Sequence, residues 1–296
     1  MFKHLNINDL KFILNSKLPQ RGPVGKNFKL IKRSFMLVDT HAHLNFPEFK
    51  HEVPAVLGRA KSAGVDKIIN VGVDLPTSKT SCDLARRYPE VYATVGIHPH
   101  SALDLDIESR GILLAYAGQQ KVVAVGEIGL DYYYLKRSSQ FARYPSREEQ
   151  IFCFEQMLDL AMETNLPIIV HCREAEADIL AILKSYSGNL KGVLHCFSGD
   201  YAFAEKILDI GLAISFTGNI TFKNSIEIQD AVKRIPIGSI MVETDSPYLT
   251  PEPYRGKRNE PANVIEVAKK IAEMKDLPLA QVELETTKKA CKLFKI

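Results

Sequence analysis

From Met36 onward the apolar positions alternate between two spacings. Short runs rich in Val and Ile read as strands: "MLVDTHAH" (36–43), "VDKIINVGV" (65–73), "VYATVGIHP" (91–99), "VVAVGEIGL" (122–130), "PIIVHC" (167–172), "GVLHCFS" (192–198), "LAISFTG" (212–218) and "IMVETDSP" (240–247). A polar loop and a longer segment of helical period follow each, at 51–63, 76–88, 103–118, 147–165, 174–186, 200–210 and 224–234, with a helical tail from 261. In 147–165, Ser146 and Glu149 form a capping box, and Ile151, Phe154, Leu158 and Ala161 make one apolar stripe. Eight strand–helix units predict an α/β fold of the (β/α)8 TIM-barrel type, with 36–296 as a single domain. A doubly wound sheet fits less well, because "DTHAH" stands where a glycine-rich nucleotide fingerprint would follow the first strand.

A barrel places its reactive groups where strands end. His41 and His43 end the first strand, His98 the third, Glu127 the fourth, His171 the fifth, His195 the sixth and Asp245 the eighth. Side chains alternate along a strand, so His41 and His43 share a face and form a chelating pair. By the same alternation, Cys172 and Cys196 are expected to face the helix layer when His171 and His195 face the barrel.

Imidazoles and carboxylates are ligands for divalent ions such as Zn²⁺, Mn²⁺ or, with more oxygen, Mg²⁺. Six donors are too many for one tetrahedral ion and suit two. The expected arrangement has His41, His43 and Asp245 on one metal, His171 and His195 on the other, and Glu127 between them. Two ions about 3.5–4 Å apart acidify a water and hold the attacking and leaving oxygens of an ester displacement, so hydrolysis follows. Asp245 is the expected general base. Glu243, on the same face of its strand, is expected behind the ligands, orienting a histidine.

Composition narrows the class. The chain has 296 residues, 46% of them hydrophobic and 25% charged, which fits a globular protein and excludes disordered or collagen-like architectures. No run of about 18 apolar residues marks a membrane span. Five cysteines without C-x-x-C spacing argue against a disulfide framework or zinc ribbon and for a reducing, cytoplasmic setting. The net charge of +3 is unevenly placed: residues 1–35 hold eight bases and one acid, and the rest of the chain holds 30 bases and 34 acids. That leader lacks the features of a signal peptide. It reads as a basic extension, poorly ordered or upstream of a natural start at Met36, with a nucleic-acid-binding arm as the alternative.

After the last strand, "ETDSPYLTPEPYRGKRNEPANV" forms a rigid loop from which Arg255, Lys257 and Arg258 project beside the expected metals. Guanidinium forks there suit phosphate oxygens, so Arg255 and Arg258 are candidate substrate contacts. Taken together, "DTHAHL", "GIHPH", "GEIGLDYY", "HCRE", "HCFSG" and "ETDSPYL" with "RGKRNEP" resemble the TatD family of metal-dependent deoxyribonucleases, within the amidohydrolase-like group of barrels. The resemblance covers nearly everything after Met36. It implies a metallo-dependent hydrolase barrel, divalent metal dependence and hydrolysis of DNA phosphodiester bonds, commonly as a 3′–5′ exonuclease. It carries His98 over as a site residue that touches substrate or a ligand rather than a metal. DNA, single-stranded or at 3′ ends, is the expected partner, the membrane is not, and a monomer or weak oligomer is expected.

Two departures from the family pattern stand out. Residues 1–35 have no counterpart, and "YYYLKRSSQFARYPS" after the fourth strand is longer than usual. This loop mixes Tyr132, Tyr133, Tyr134, Phe141 and Tyr144 with Lys136, Arg137 and Arg143, a composition suited to stacking bases and neutralising phosphates. A rim that packs its own aromatics is the plainer alternative. A competing reading of the whole chain keeps the barrel and changes the substrate to a small ester, amide or aminoacyl ester. The bridging position argues against it: many such barrels use a modified lysine there, and this chain offers Glu127.

Overall fold

The computed structural model describes residues 36–135, 137, 143–186 and 188–296. The leader 1–35, Lys136 and Phe141, each given a reading above, lie outside the described residues. Eight parallel strands run in chain order around one sheet: β1 (Leu37–Ala42), β2 (Val65–Asn70), β3 (Val91–Val95), β4 (Val122–Asp131), β5 (Ile168–Arg173), β6 (Gly192–Leu194), β7 (Ala213–Phe216) and β8 (Ile240–Val242). The sheet closes on itself just beyond the last strand, where Ala42 bridges Ser246. Asp245 N donates to His41 O and His43 N to Ser246 O, both at 2.8 Å. This is the expected (β/α)8 barrel.

The helices are α1 (Val53–Ser62), α2 (Leu75–Arg87), α3 (Ile107–Ala117), α4 (Arg147–Thr164), α5 (Glu176–Ser185), α6 (Tyr201–Asp209), α7 (Ile226–Arg234), α8 (Val264–Lys275) and α9 (Leu279–Phe294). The capping box at α4 forms as expected, with Ser146 N donating to Glu149 Oε2 at 2.8 Å and Glu149 N to Ser146 Oγ at 3.2 Å. Two helical expectations are corrected. The segment 103–118 begins its α-helix only at Ile107, because Asp106 caps Ser109 N at 2.7 Å and a 3₁₀ turn occupies Pro99–Asp104. The tail divides at a left-handed Asp276 followed by Pro278, which cannot continue a helix.

Two apolar layers follow from strand alternation. Leu37, Ile68, Val91, Ile168, Leu194 and Ile240 pack with the helices. Their neighbours Val38, Ile69, Val123, Ile169, Val193 and Met241 form a second cluster inside the barrel, joined by Ala290 and Phe294 of α9. At the other end, β4 and β5 pass so closely at Gly129 (φ +140°) that a Cβ there would sit 2.1 Å from His171 O, and this closeness brings His171 toward Glu127.

Candidate metal centre

The six ligand candidates divide evenly between strands and the residues just past them, with His171 inside β5 and Glu127 four residues before the end of β4. His41 is in β1 and Glu127 in β4, while His43, His195 and Asp245 follow the last residues of β1, β6 and β8. Asp245 adopts a left-handed backbone (φ +54°), which aspartate tolerates better than most residues.

The six donors meet around one carboxylate. Glu127 Oε2 lies 3.3 Å from His41 Nε2 and 3.7 Å from His43 Nε2. Those two nitrogens are 3.1 Å apart and lie 3.7 and 3.4 Å from Asp245 Oδ1. On its other side, Glu127 Oε1 lies 2.9 Å from His171 Nδ1 and 2.8 Å from His195 Nε2, themselves 3.4 Å apart. Such separations approach the edge, about 3.4 Å, of a tetrahedron whose corners stand about 2.1 Å from a central cation. Glu127, Asp131 and Glu243 are all buried, and buried anions need cations or strong donors. The donor set therefore fits divalent metal.

Groups behind the donors turn their lone pairs inward. His43 Nδ1 lies 3.3 Å from Val71 O and His171 Nε2 3.4 Å from Asp131 Oδ2, which leaves His43 Nε2 and His171 Nδ1 for a ligand. Glu243 Oε1 stands 3.4 Å from His195 Nδ1 and accepts from Cys196 N at 2.7 Å, while Oε2 accepts from Ser215 Oγ at 2.6 Å. Glu243 is thus placed behind a histidine, as alternation predicts. Sequence reasoning missed Asp131, although it shares the Glu127 side of β4 at even spacing; its other partners are His100 Nε2 and the Tyr133 N–H, each at 2.9 Å. It also missed Asp39, which ties β1 to the chain after β8 by accepting from Thr244 N and Oγ1 at 2.9 and 2.6 Å.

Electrostatics divides the donors. Burial pushes the His41 pKa down, with the nearby His195 adding to the effect. Burial also opposes charge on His171 and His195, but the hydrogen bonds of His171 to Asp131 and Glu127, and the charges of Glu127 and Glu243 beside His195, outweigh it and raise both. Glu127 is held well below the carboxylate range despite burial, by His195 and His98. Asp245 is likewise lowered against burial by His43 and His41.

The centre opens into a cavity of about 490 Å³ lined by Phe46, His98, His100, Tyr134, Arg173 and Tyr248 among others. His98 Nδ1 accepts from His100 N at 3.1 Å, so its Nε2 carries the proton, 3.5 Å from Glu127 Oε1. Arg255 and Arg258 are not among the lining residues. Arg258 donates to Glu48 O and pairs with Glu52 at 2.8 Å, and Arg255 lies over the Phe222 ring at 3.6 Å. In the long loop, Tyr132 Oη donates to Asp178 at 2.6 Å and Tyr144 Oη to Asp131 O at 3.1 Å, while Tyr134 reaches the cavity. One expectation is overturned. Cys172 packs toward the helices, but Cys196 lines the cavity: β6 has already ended at Leu194, and a left-handed backbone at Cys196 (φ +47°) breaks the alternation.

The family model described as TatD related DNase matches residues 38–295. The chain belongs to the TatD family. Among its TatD relatives, the metal-dependent hydrolase YabD of Bacillus subtilis, called uncharacterized, is 39% identical over 262 residues, covering 88% of this chain and all of YabD. A protein of Cronobacter sakazakii named 3′-5′ ssDNA/RNA exonuclease TatD is 33% identical over 264 residues, with 87% and 97% covered. The crystal structure of YJJV, a TatD homologue from Escherichia coli K12, is similar at 30% identity and a TM-score of 0.80 over 88% of this chain and 98% of that one. This chain is accordingly a metal-dependent hydrolase of the TatD family. Among the described residues no helix is long and apolar enough to cross a membrane.

Proposed function

We propose that this protein hydrolyses phosphodiester bonds of DNA from 3′ ends of single strands, using two divalent ions, Mg²⁺, Mn²⁺ or Zn²⁺. One observation carries the reading: the two oxygens of Glu127 face separate donor sets, His41, His43 and Asp245 beside Oε2, and His171 and His195 beside Oε1. When bound, a pair of ions supplies an acidified water and neutralises charge on the attacking and leaving oxygens. The chain does the rest. Asp245 has Oδ1 toward the histidines and is held ionised, so its other oxygen accepts the water's proton. His98, whose pKa burial drives well below the usual imidazole range, is a neutral donor from Nε2 to a phosphate oxygen. A cavity of about 490 Å³ suits a terminal nucleotide better than a stretch of duplex, which supports exonuclease action. The five free cysteines fit a reducing cytoplasm.

The same volume also admits a small ester or amide. Metal-loaded protein is offered 5′-labelled single-stranded DNA beside a panel of small esters and amides. A ladder shortening one nucleotide at a time, abolished by chelator, is the expected result. Intact DNA with rapid turnover of a small substrate overturns the proposal.

A further inference from the structure

Arg173 ends β5 two residues beyond His171. Strand alternation puts it on the His171 side of the strand, about 6–7 Å farther out, and it lines the cavity. Its guanidinium stands 3.7 Å from the centre of the Tyr133 ring and 5.7 Å from that of Tyr134. The other guanidiniums of this rim are engaged: Arg137 pairs with Glu174 at 3.3 Å and Arg258 with Glu52 at 2.8 Å, while Arg255 rests on Phe222 away from the cavity lining. Arg173 has no carboxylate partner among the described residues. Stacking fixes the plane of a guanidinium and leaves its N–H edge available for a bidentate anion.

Resting on the phosphodiester reading above, we propose that Arg173, held against Tyr133 and Tyr134, binds the substrate phosphate adjacent to the scissile one. Its distance from the donor cluster puts it beyond the reacting group. The site thereby selects a polyanionic chain over an isolated small ester.

The test compares the parent with Arg173→Gln and Arg173→Lys on two single-stranded oligonucleotides, one all phosphodiester and one with an uncharged methylphosphonate next to the terminal linkage. On the ordinary strand Arg173→Gln raises KM about tenfold with kcat changed by less than about twofold, and Arg173→Lys falls between it and the parent. The methylphosphonate raises the parent's KM about tenfold and that of Arg173→Gln by less than about twofold, because the contact is already lost. Metal stoichiometry and melting temperature stay at parental values, as befits an exposed side chain. If the parent cleaves but the methylphosphonate penalises Arg173→Gln as heavily as the parent, Arg173 only braces the tyrosines and this inference falls alone. If the parent leaves both strands intact, the phosphodiester reading falls and takes the inference with it.

Discussion

The donor set that meets Glu127 Oε2 and the one that meets Oε1 are built differently. His41 and His43 come from one strand end, are almost wholly shielded from solvent, and meet Asp245 from the chain that closes the barrel. His171 and His195 come from adjacent strands. The His171 side chain is 19% exposed to the cavity and leans on Asp131. The Asp245 side chain, 16% exposed, is nearly as open as that of His171, and His195 is as buried as His43, so what seals the first set is the barrel closure. That set has the lowered His41, whereas both histidines of the open set, away from the seam, have raised pKa values. Two halves of one centre thus differ in how readily they exchange a cation for protons.

The largest effect comes from removing what they share. Glu127→Gln should cut kcat by about three orders of magnitude, several kcal/mol of lost transition-state stabilisation, and bring bound metal below two equivalents by elemental analysis. Full stoichiometry in that variant would show that the halves do not depend on a common carboxylate. Acidification should then separate them. Raised pKa values mean that His171 and His195 surrender a proton to an incoming cation less readily than His41 does, so acidification should weaken the open half first. Titration calorimetry in two buffers of different ionisation enthalpy should find proton release with one equivalent and much less with the other. Equal release from both would erase the distinction.

Asp131→Asn is a narrower probe, since among the six donors its side chain touches only His171, its other partners being His100 and the Tyr133 N–H. Affinity of the open half should fall by about 10–100-fold and that of the sealed half should stay put. The smallest effect is expected at Arg258→Ala: KM for DNA should be unchanged and the melting temperature should drop by about 2 °C or less. A large rise in KM would return Arg258 to the substrate-contact role that its position in the sequence suggested.

Much of this was legible from residue order. The period-two runs locate every strand, and the histidines and acids toward their ends mark the donors that meet at Glu127. Alternation fails where backbone regularity fails, and Cys196 is the example: β6 is three residues long, so the strand rule had nothing left to act on. Arg258 shows a second limit of local pattern. Its partner Glu52 lies 206 positions away beside α1, and no local pattern reveals that a loop cation is already paired. Arg173 was hidden inside a motif read for its histidine, because stacking on Tyr133 and Tyr134 depends on how a long loop folds back over β5.

The seam between Ala42 and Ser246 has a consequence for biosynthesis. His41 and His43 leave the ribosome early, and Asp245 joins them only after some two hundred further residues. A growing chain therefore lacks a complete sealed half until its final strand has emerged and docked. The donors facing Glu127 Oε2 are thus the last part of the centre to be assembled, near the end of translation.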